Sequence, residues 1–304
     1  VYGSNTDALH LSITKADEKI LIGKELTRGL GCGGYAARGR EAAKEAISEI
    51  KKAVSGADMV FVVCGMGGGT GTGAAPVIAQ LAKEAGAIVI GVVTMPFECE
   101  KARIEKAEFG LQEFRDMVHT VVVIDNNRLV DIAGNLPIEQ AFAVANELIS
   151  TMIKGIVETI TLPSLINLDY ADVSAVMKDG HVAVIGVGES DSSSDRVGEA
   201  VKQALTHPLL DVDYRGATGA LIHITCGPDL KLEEFSHIGQ LVTENLHPDS
   251  QVIIGARINK DFAGKVRVIT IMTGVKSPYV LGRQPNEMVA PVHELSELGI
   301  ETFR

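Results

Sequence analysis

Tryptophan is missing from this 304-residue sequence, and aromatic residues make up only 4% of it. Stacking platforms for single-stranded nucleic acid need such rings, so that class of function is disfavoured. Basic charge is also short: 28 Lys and Arg stand against 39 Asp and Glu, a net charge of −11. This balance argues against non-specific nucleic-acid binding and against attraction to an anionic membrane surface. Cysteines are few and scattered (Cys32, Cys64, Cys99, Cys226), with no CxxC pair and no secretory signal. They read as reduced thiols, which makes a cytoplasmic location the expectation. No apolar run reaches the ~18 residues of a membrane helix, so no direct membrane insertion is expected. His181, His207, His223, His237 and His247 show neither metal-ligand spacing nor a triad, so no protein-held metal site is expected. What is present, at 46% hydrophobic content, is enough for one large or two ordinary domains with ample core.

Glycine, by contrast, is concentrated in one place. The stretch Cys64-Gly65-Met66-Gly67-Gly68-Gly69-Thr70-Gly71-Thr72-Gly73-Ala74-Ala75-Pro76 follows an apolar run, Met59 to Val63. It precedes a helix-like run from Ala74 to Ala85 and a second apolar run from Ala87 to Thr94. Period and punctuation give strand, Gly-rich turn, helix, strand. Backbone N–H groups converge at such a turn, and the helix dipole adds positive potential. Glycine lets the backbone approach an anion, and Thr70 and Thr72 add hydroxyl donors. The turn suits phosphate. No Gly-Lys-Ser/Thr follows, so the Walker pattern is absent. A Gly-x-Gly-x-x-Ala match at Gly69, Gly71 and Ala74 leaves an NAD-dependent oxidoreductase as a weak alternative. The ribose-binding acid is missing from the next strand end, Thr94-Met95-Pro96. The bland reading is a turn that packs a helix closely on a strand.

The tandem glycines and threonines of Gly67–Gly73 resemble the signature of the tubulin/FtsZ family, and the flanking residues resemble FtsZ more than tubulin. The resemblance implies further site residues. Asn5, Thr6 and Asp7, otherwise ordinary turn and N-cap residues, match a loop beside the nucleotide. Gly33 and Gly34, in Gly29-Leu30-Gly31-Cys32-Gly33-Gly34-Tyr35, match a γ-phosphate loop, although its usual Ala-Asn-Pro ending is replaced by Gly34-Tyr35-Ala36. Glu100 and Arg103 match residues that hold ribose and phosphates; the alternative is an i,i+3 surface ion pair. Asn126 matches a base-contacting residue at a strand end. The family's first strand and first Gly-rich loop are not found in the sequence, and the expected nucleotide-binding half lacks its amino end. Thr27-Arg28-Gly29-Leu30-Gly31 and the loop variants lean toward an archaeal member.

Pro137 opens a long amphipathic helix, with apolar residues from Ile138 to Ile160 at steps of three and four and Pro163 beyond its end. At 1.5 Å per residue it is roughly 35 Å long, enough to bridge two domains. Periodicity makes Phe142 a core position; the resemblance has it stack on guanine. Asn146, one turn on, is costly in an apolar stripe unless paired, and its amide suits a base edge. Next comes Asn167-Leu168-Asp169-Tyr170-Ala171-Asp172-Val173. Two carboxylates at i and i+3 are usually an N-cap and a dipole partner. This run is nearly letter for letter the FtsZ loop that completes the next subunit's nucleotide site, which implies catalytic Asp169 and Asp172, with Asn167 orienting loop or water. Alternating strands and helices follow, which predict a mixed sheet with helices on one face.

The fold expected is therefore α/β, with a Rossmann-like, parallel-sheet GTPase domain (1–136), a central helix (137–162), and a smaller α+β domain with a mixed sheet (163–275). Residues 276–304 read as an arm or tail. The resemblance implies a GTPase that binds GTP and GDP, with Mg²⁺ held mainly by phosphates and water. It implies head-to-tail self-assembly into filaments at the division site, and membrane-tethering division proteins as partners. A non-hydrolysing scaffold of the same family is the alternative.

Overall fold

A computed structural model of the chain describes residues 1–178, 181–206 and 213–275; the expected tail lies outside them. The chain begins with β1 (Tyr2–Asn5), α1 (Ala8–Ile13) and β2 (Glu18–Leu21), and the two strands pair in parallel. Short α2 (Lys24–Thr27) leads to α3 (Ala36–Glu45) and α4 (Ile47–Val54). The sequence pattern predicts one helix over 36–54, but the backbone breaks at Ala46 (φ −100°, ψ 22°). Beside the break, the Glu45 carboxylate accepts the N–H groups of Glu25 and Leu26, pinning the end of α3 to the start of α2.

A seven-stranded sheet then forms. Its first part is β3 (Met59–Gly65), α5 (Thr70–Glu84), β4 (Ile88–Met95), α6 (Ala102–Met117), β5 (Thr120–Asp125) and α7 (Asn126–Ala133). The three strands are parallel and adjacent in chain order. The apolar runs of β4 and β5 suit a parallel sheet covered on both faces. Val89, Val93, Val121 and Val123 meet Ala79 of α5 and Leu111 and Phe114 of α6. On the opposite face Ile90, Val92, Val122 and Ile124 meet Leu148 and Met152 of the long α8 (Ile138–Thr161). β3 is the outer strand, with a sheet partner on one side only among the described residues, and its Val63 is 49% exposed.

The second part is α9 (Tyr170–Lys178), β6 (His181–Ser190), α10 (Arg196–Leu205), β7 (Gly219–Cys226), α11 (Leu232–Thr243), β8 (Gln251–Ile258) and β9 (Val266–Thr273). The sheet order is β3-β4-β5-β6-β9-β7-β8. β6 joins β5 through two parallel pairs, Thr120 with His181 and Val121 with Val182. β9 runs antiparallel to β6 and β7, so this part is mixed. Helices cover both of its faces, not one as the pattern predicts. All eight positions of β7 are buried: Ile222 and Ile224 face α10 and α11, while Leu221 faces α8 and α9. A strand apolar on alternate residues of both parities needs two covers. The sequence pattern predicts a helix over 194–205; α10 starts two residues later, at Arg196, because Asp195 accepts the Gly198 N–H at 2.9 Å and caps it. No helix among the described residues is long and apolar enough to cross a membrane.

Candidate nucleotide site and a remote acidic loop

The Gly-rich turn leaves the carboxyl end of β3, and its helix begins earlier than the sequence pattern predicts, at Thr70 rather than Ala74. Thr70 to Gly73 therefore form the first turn of α5. Gly69 occupies the N-cap with no side-chain hydrogen bond, so the helix pole is left without a side-chain partner. The glycines divide by what surrounds them. Gly67 is left-handed (φ 89°), and its N–H donates to Thr72 Oγ1 at 3.0 Å. A side chain at Gly68 would meet nothing within 4 Å. At Gly69 a Cβ would stand 2.6 Å from the Cys32 Cβ, at Gly71 it would strike the Gly65 carbonyl, and at Gly73 the Ala36 carbonyl. The last three glycines are thus required by packing, whatever binds there: Gly69 against the loop that leads into α3, Gly71 against β3 and Gly73 against α3. Gly68 alone of these faces open space.

Two other segments converge on this turn. The Thr6 and Thr70 hydroxyls lie 2.7 Å apart, and the Cys32 thiol donates to Thr6 Oγ1 at 3.3 Å. Asn5 and Asp7 make local turns: Asn5 Oδ1 accepts the Asp7 N–H, and Asp7 caps α1 by accepting the His10 N–H. The Gly31 N–H donates to the Thr6 carbonyl at 3.1 Å, which sets the loop carrying Gly33 (φ 62°) and Gly34 (φ 80°) alongside. Cys32 and Lys106, whose Nζ lies 3.4 Å from the Gly34 carbonyl, were not singled out by sequence reasoning. A lone Cys between glycines gives no signal, and Lys106 reads as an ordinary exposed helix residue.

The expected ribose and base residues gather at the neighbouring strand ends. A Cβ on Gly67 would press on the Arg103 backbone. Arg103 Nη1 donates to Glu100 Oε2 at 2.6 Å, while Glu100 Oε1 accepts the Phe97 N–H, so the ion-pair alternative is realised in the structure. The Glu98 N–H donates to Asn127 Oδ1 at 2.8 Å, joining this turn to the start of α7, where Asn126 is half-buried. Phe142 is 39% exposed and meets Phe97 edge-on at 6.1 Å; it is not the core residue that periodicity predicts. Asn146 is exposed, so no burial cost attaches to it. Glu100 and Arg103 follow the carboxyl end of β4, Asn126 follows that of β5, and Phe142 is joined to them through Phe97, in the region where open α/β sheets bind ligands.

Asp169 and Asp172 are elsewhere. Their carboxylates cap α9 reciprocally: the Asp169 N–H donates to Asp172 Oδ2 and the Asp172 N–H to Asp169 Oδ1, each at 3.0 Å. One oxygen of each carboxylate is outside this exchange. Asn167 is exposed beside them. Between the two carboxylates, the Tyr170 hydroxyl donates to the Asp58 carbonyl at 2.7 Å, at the amino end of β3. The phosphate-type turn leaves the other end of that strand. Seven residues of strand separate them, about 23 Å at ~3.3 Å per residue.

A parallel sheet with a Gly-rich turn, a long central helix and a mixed second sheet together make the tubulin-like fold of a GTPase. Two family models match the chain: "Tubulin/FtsZ family, GTPase domain" over residues 3–134 and "FtsZ family, C-terminal domain" over 181–276. The chain belongs to the tubulin/FtsZ family, and within it to the FtsZ cell-division proteins. It is 56% identical over 292 residues to cell division protein FtsZ 2 of Methanocaldococcus jannaschii, covering 95% of this chain and 77% of the relative. It is 52% identical over 288 residues to cell division protein FtsZ 1 of Thermococcus kodakarensis, covering 94% and 77%. An FtsZ dimer structure from M. jannaschii superposes with a TM-score of 0.81 at 51% identity, over 90% of this chain and 80% of that one. CetZ2 from Haloferax volcanii, solved as a GTPγS-bound protofilament, shares the fold at a TM-score of 0.77 and 22% identity, over 90% and 84%.

Proposed function

We propose that this protein binds GTP at the Gly-rich end of β3 and hydrolyses it only when a second copy supplies Asp169 and Asp172. The observation that carries this reading is the separation of the two sites. The carboxylate loop is fixed near one end of β3 and the phosphate-type turn leaves the other, about 23 Å away along the strand. A chain cannot bring its own carboxylates to its own phosphates across that distance; a copy stacked end to end can. Such a contact joins unlike surfaces and repeats without closing, so it builds a filament.

In this reading Gly67–Gly73, Gly33, Gly34 and the Asn5–Asp7 loop hold the phosphates. Gly68 offers the open approach and half-buried Thr70 supplies a hydroxyl, whereas Thr6 and Thr72, both buried, hold the turn in shape. Arg103 exchanges its Glu100 partner for phosphate, and Glu100 accepts ribose hydroxyl protons. Phe142 stacks on guanine, while Asn126 and Asn146 read its edge. Mg²⁺ would be held mainly by phosphate oxygens and water, and would neutralise charge on the phosphates. The free oxygens of Asp169 and Asp172 orient and deprotonate the attacking water, with Asn167 ordering the loop. The cellular role is filament formation at the division site, with membrane-tethering division proteins as partners. It is supported by the family and by the FtsZ dimer and the CetZ2 protofilament among structural relatives.

The test is GTP turnover per subunit as a function of protein concentration. It should rise with concentration and vanish in Asp172→Ala, with GTP affinity retained. Turnover independent of concentration overturns the shared site.

A further inference from the structure

The loop carrying the acidic residues is held at two points, by different halves of the molecule. On one side it adds to the edge of β8. The Ile166 N–H donates to the Ala256 carbonyl and the Ala256 N–H to the Ile166 carbonyl, both at 3.1 Å. Leu168, 1% exposed, packs directly over Gly255. On the other side lies Tyr170. Its hydroxyl reaches the Asp58 carbonyl, which also accepts the Ile88 N–H at 2.8 Å. A carbonyl oxygen has two lone pairs and serves both donors. The phenol is therefore fastened to the corner from which β3 and β4 both start. Partial burial raises the Tyr170 pKa above its ordinary value of 10, so the donor proton stays in place.

Asn167 and Asp169 lie between these two anchors, and Asp172 follows one turn later. The capping exchange between Asp169 and Asp172 orients the carboxylates relative to each other but ties them to nothing else. The β8 contact fixes the loop to the second half of the sheet. Of residues 167–172, Tyr170 alone is tied by a side-chain hydrogen bond to the half that holds the nucleotide turn; the far end of α9 is tied to the same half by Thr120 Oγ1, which donates to the Met177 carbonyl at 2.7 Å.

We propose that Tyr170 is a positioning residue for hydrolysis: its hydroxyl ties the carboxylate loop to the amino end of β3, so that both halves of the molecule together set where Asp169 and Asp172 are presented to the neighbouring subunit. The proposal rests on the trans-acting role given to those carboxylates above. It assigns Tyr170 no contact with nucleotide. A neutral hydrogen bond of about 0.5–1.5 kcal/mol corresponds to a roughly 2- to 12-fold effect, which sets the expected size.

Tyr170→Phe removes one oxygen and keeps the ring. Far-UV circular dichroism and the unfolding midpoint check that the variant is folded. GTP affinity of the unassembled protein and the amount of polymer sedimented should match the parent within about twofold, while turnover per polymerised subunit falls about 3- to 10-fold. A second arm locates the defect, using filaments mixed in equal parts with Asp172→Ala. There only the Tyr170→Phe chains donate a working loop, but part of the nucleotide they act on sits on Asp172→Ala chains with an intact Tyr170. A loop defect shows the same fold-loss in the mixture as alone. A smaller loss in the mixture would place the defect in the chain's own nucleotide site and overturn the proposal, as would unchanged turnover. If parental turnover shows no concentration dependence, the trans reading itself falls, and the proposal with it.

Discussion

His223 is the described residue least at ease in this molecule. It lies at the centre of β7, 2% exposed, with neither ring nitrogen hydrogen-bonded. Burial, with repulsion from Arg257 second, pushes its pKa down to about 4. The unfolded chain takes up this proton near pH 6.5, before the folded one does. Stability is therefore complete above pH 6.5 and is lost as pH falls toward 4, by about 3 kcal/mol for a shift of this size. His223→Leu should flatten that acid limb, measured as the urea midpoint at pH 7.5 and pH 5; an unchanged pH dependence would show that other groups govern it. Asp169 poses a different residue-scale question, because it is both helix cap and candidate catalyst. Asparagine caps nearly as well as aspartate, whereas alanine costs about 1 kcal/mol. Asp169→Asn should thus keep the unfolding midpoint while losing turnover, and Asp169→Ala should lose both. Retained turnover in Asp169→Asn would reduce Asp169 to a cap.

At the scale of elements, α5 separates two roles that the sequence merges. Gly73→Ala drives a methyl group into the Ala36 carbonyl of α3, and overpacking of this kind costs about 1–3 kcal/mol. Gly68→Ala meets no atom within 4 Å and should leave the unfolding midpoint alone while weakening GTP binding. Thermal unfolding and nucleotide titration of the two variants test this contrast; Gly68→Ala with parental affinity would remove Gly68 from the site. Strand-turn-helix-strand, the long helix and the mixed sheet were legible because period and glycine punctuation are local properties. The start of α5 at Thr70 was not, since Thr and Gly are poor helix formers that close packing against α3 and β3 overrides. Nor was the exposure of Phe142, because a 3.6-residue period gives a helix its faces but not which stretch of a face lies over the sheet. The candidate site residues could be named one by one from their motifs. Their grouping, and the roughly strand-length gap between turn and acidic loop, needed the register of β3.

The whole molecule is tied together more broadly than its two-pair β5–β6 junction indicates. Each of the two large apolar clusters draws side chains from both halves: Val121 and Ile222 in one, Ile90 and Ile271 in the other. Heat or denaturant should accordingly unfold both halves in one transition, with calorimetric and van't Hoff enthalpies equal. Two resolved transitions would show that the halves are independent. Within the second half, Arg196 is 14% exposed at its side chain and bonded to both Asp229 and Glu234, which hold its charge firmly on. Arg196→Ala leaves two carboxylates facing each other and should lower the midpoint of the single thermal transition, and an unchanged midpoint would show that solvent screens the pair.

The missing tryptophan has a practical result for any binding assay. A chain with no indole of its own gives no tryptophan emission, and Phe142 stands 39% exposed beside Phe97. Phe142→Trp would therefore carry the whole signal from one place. An emission change with GTP that ATP does not give would report nucleotide at that place in the unassembled protein, and an emission that ignores GTP would remove position 142 from the site.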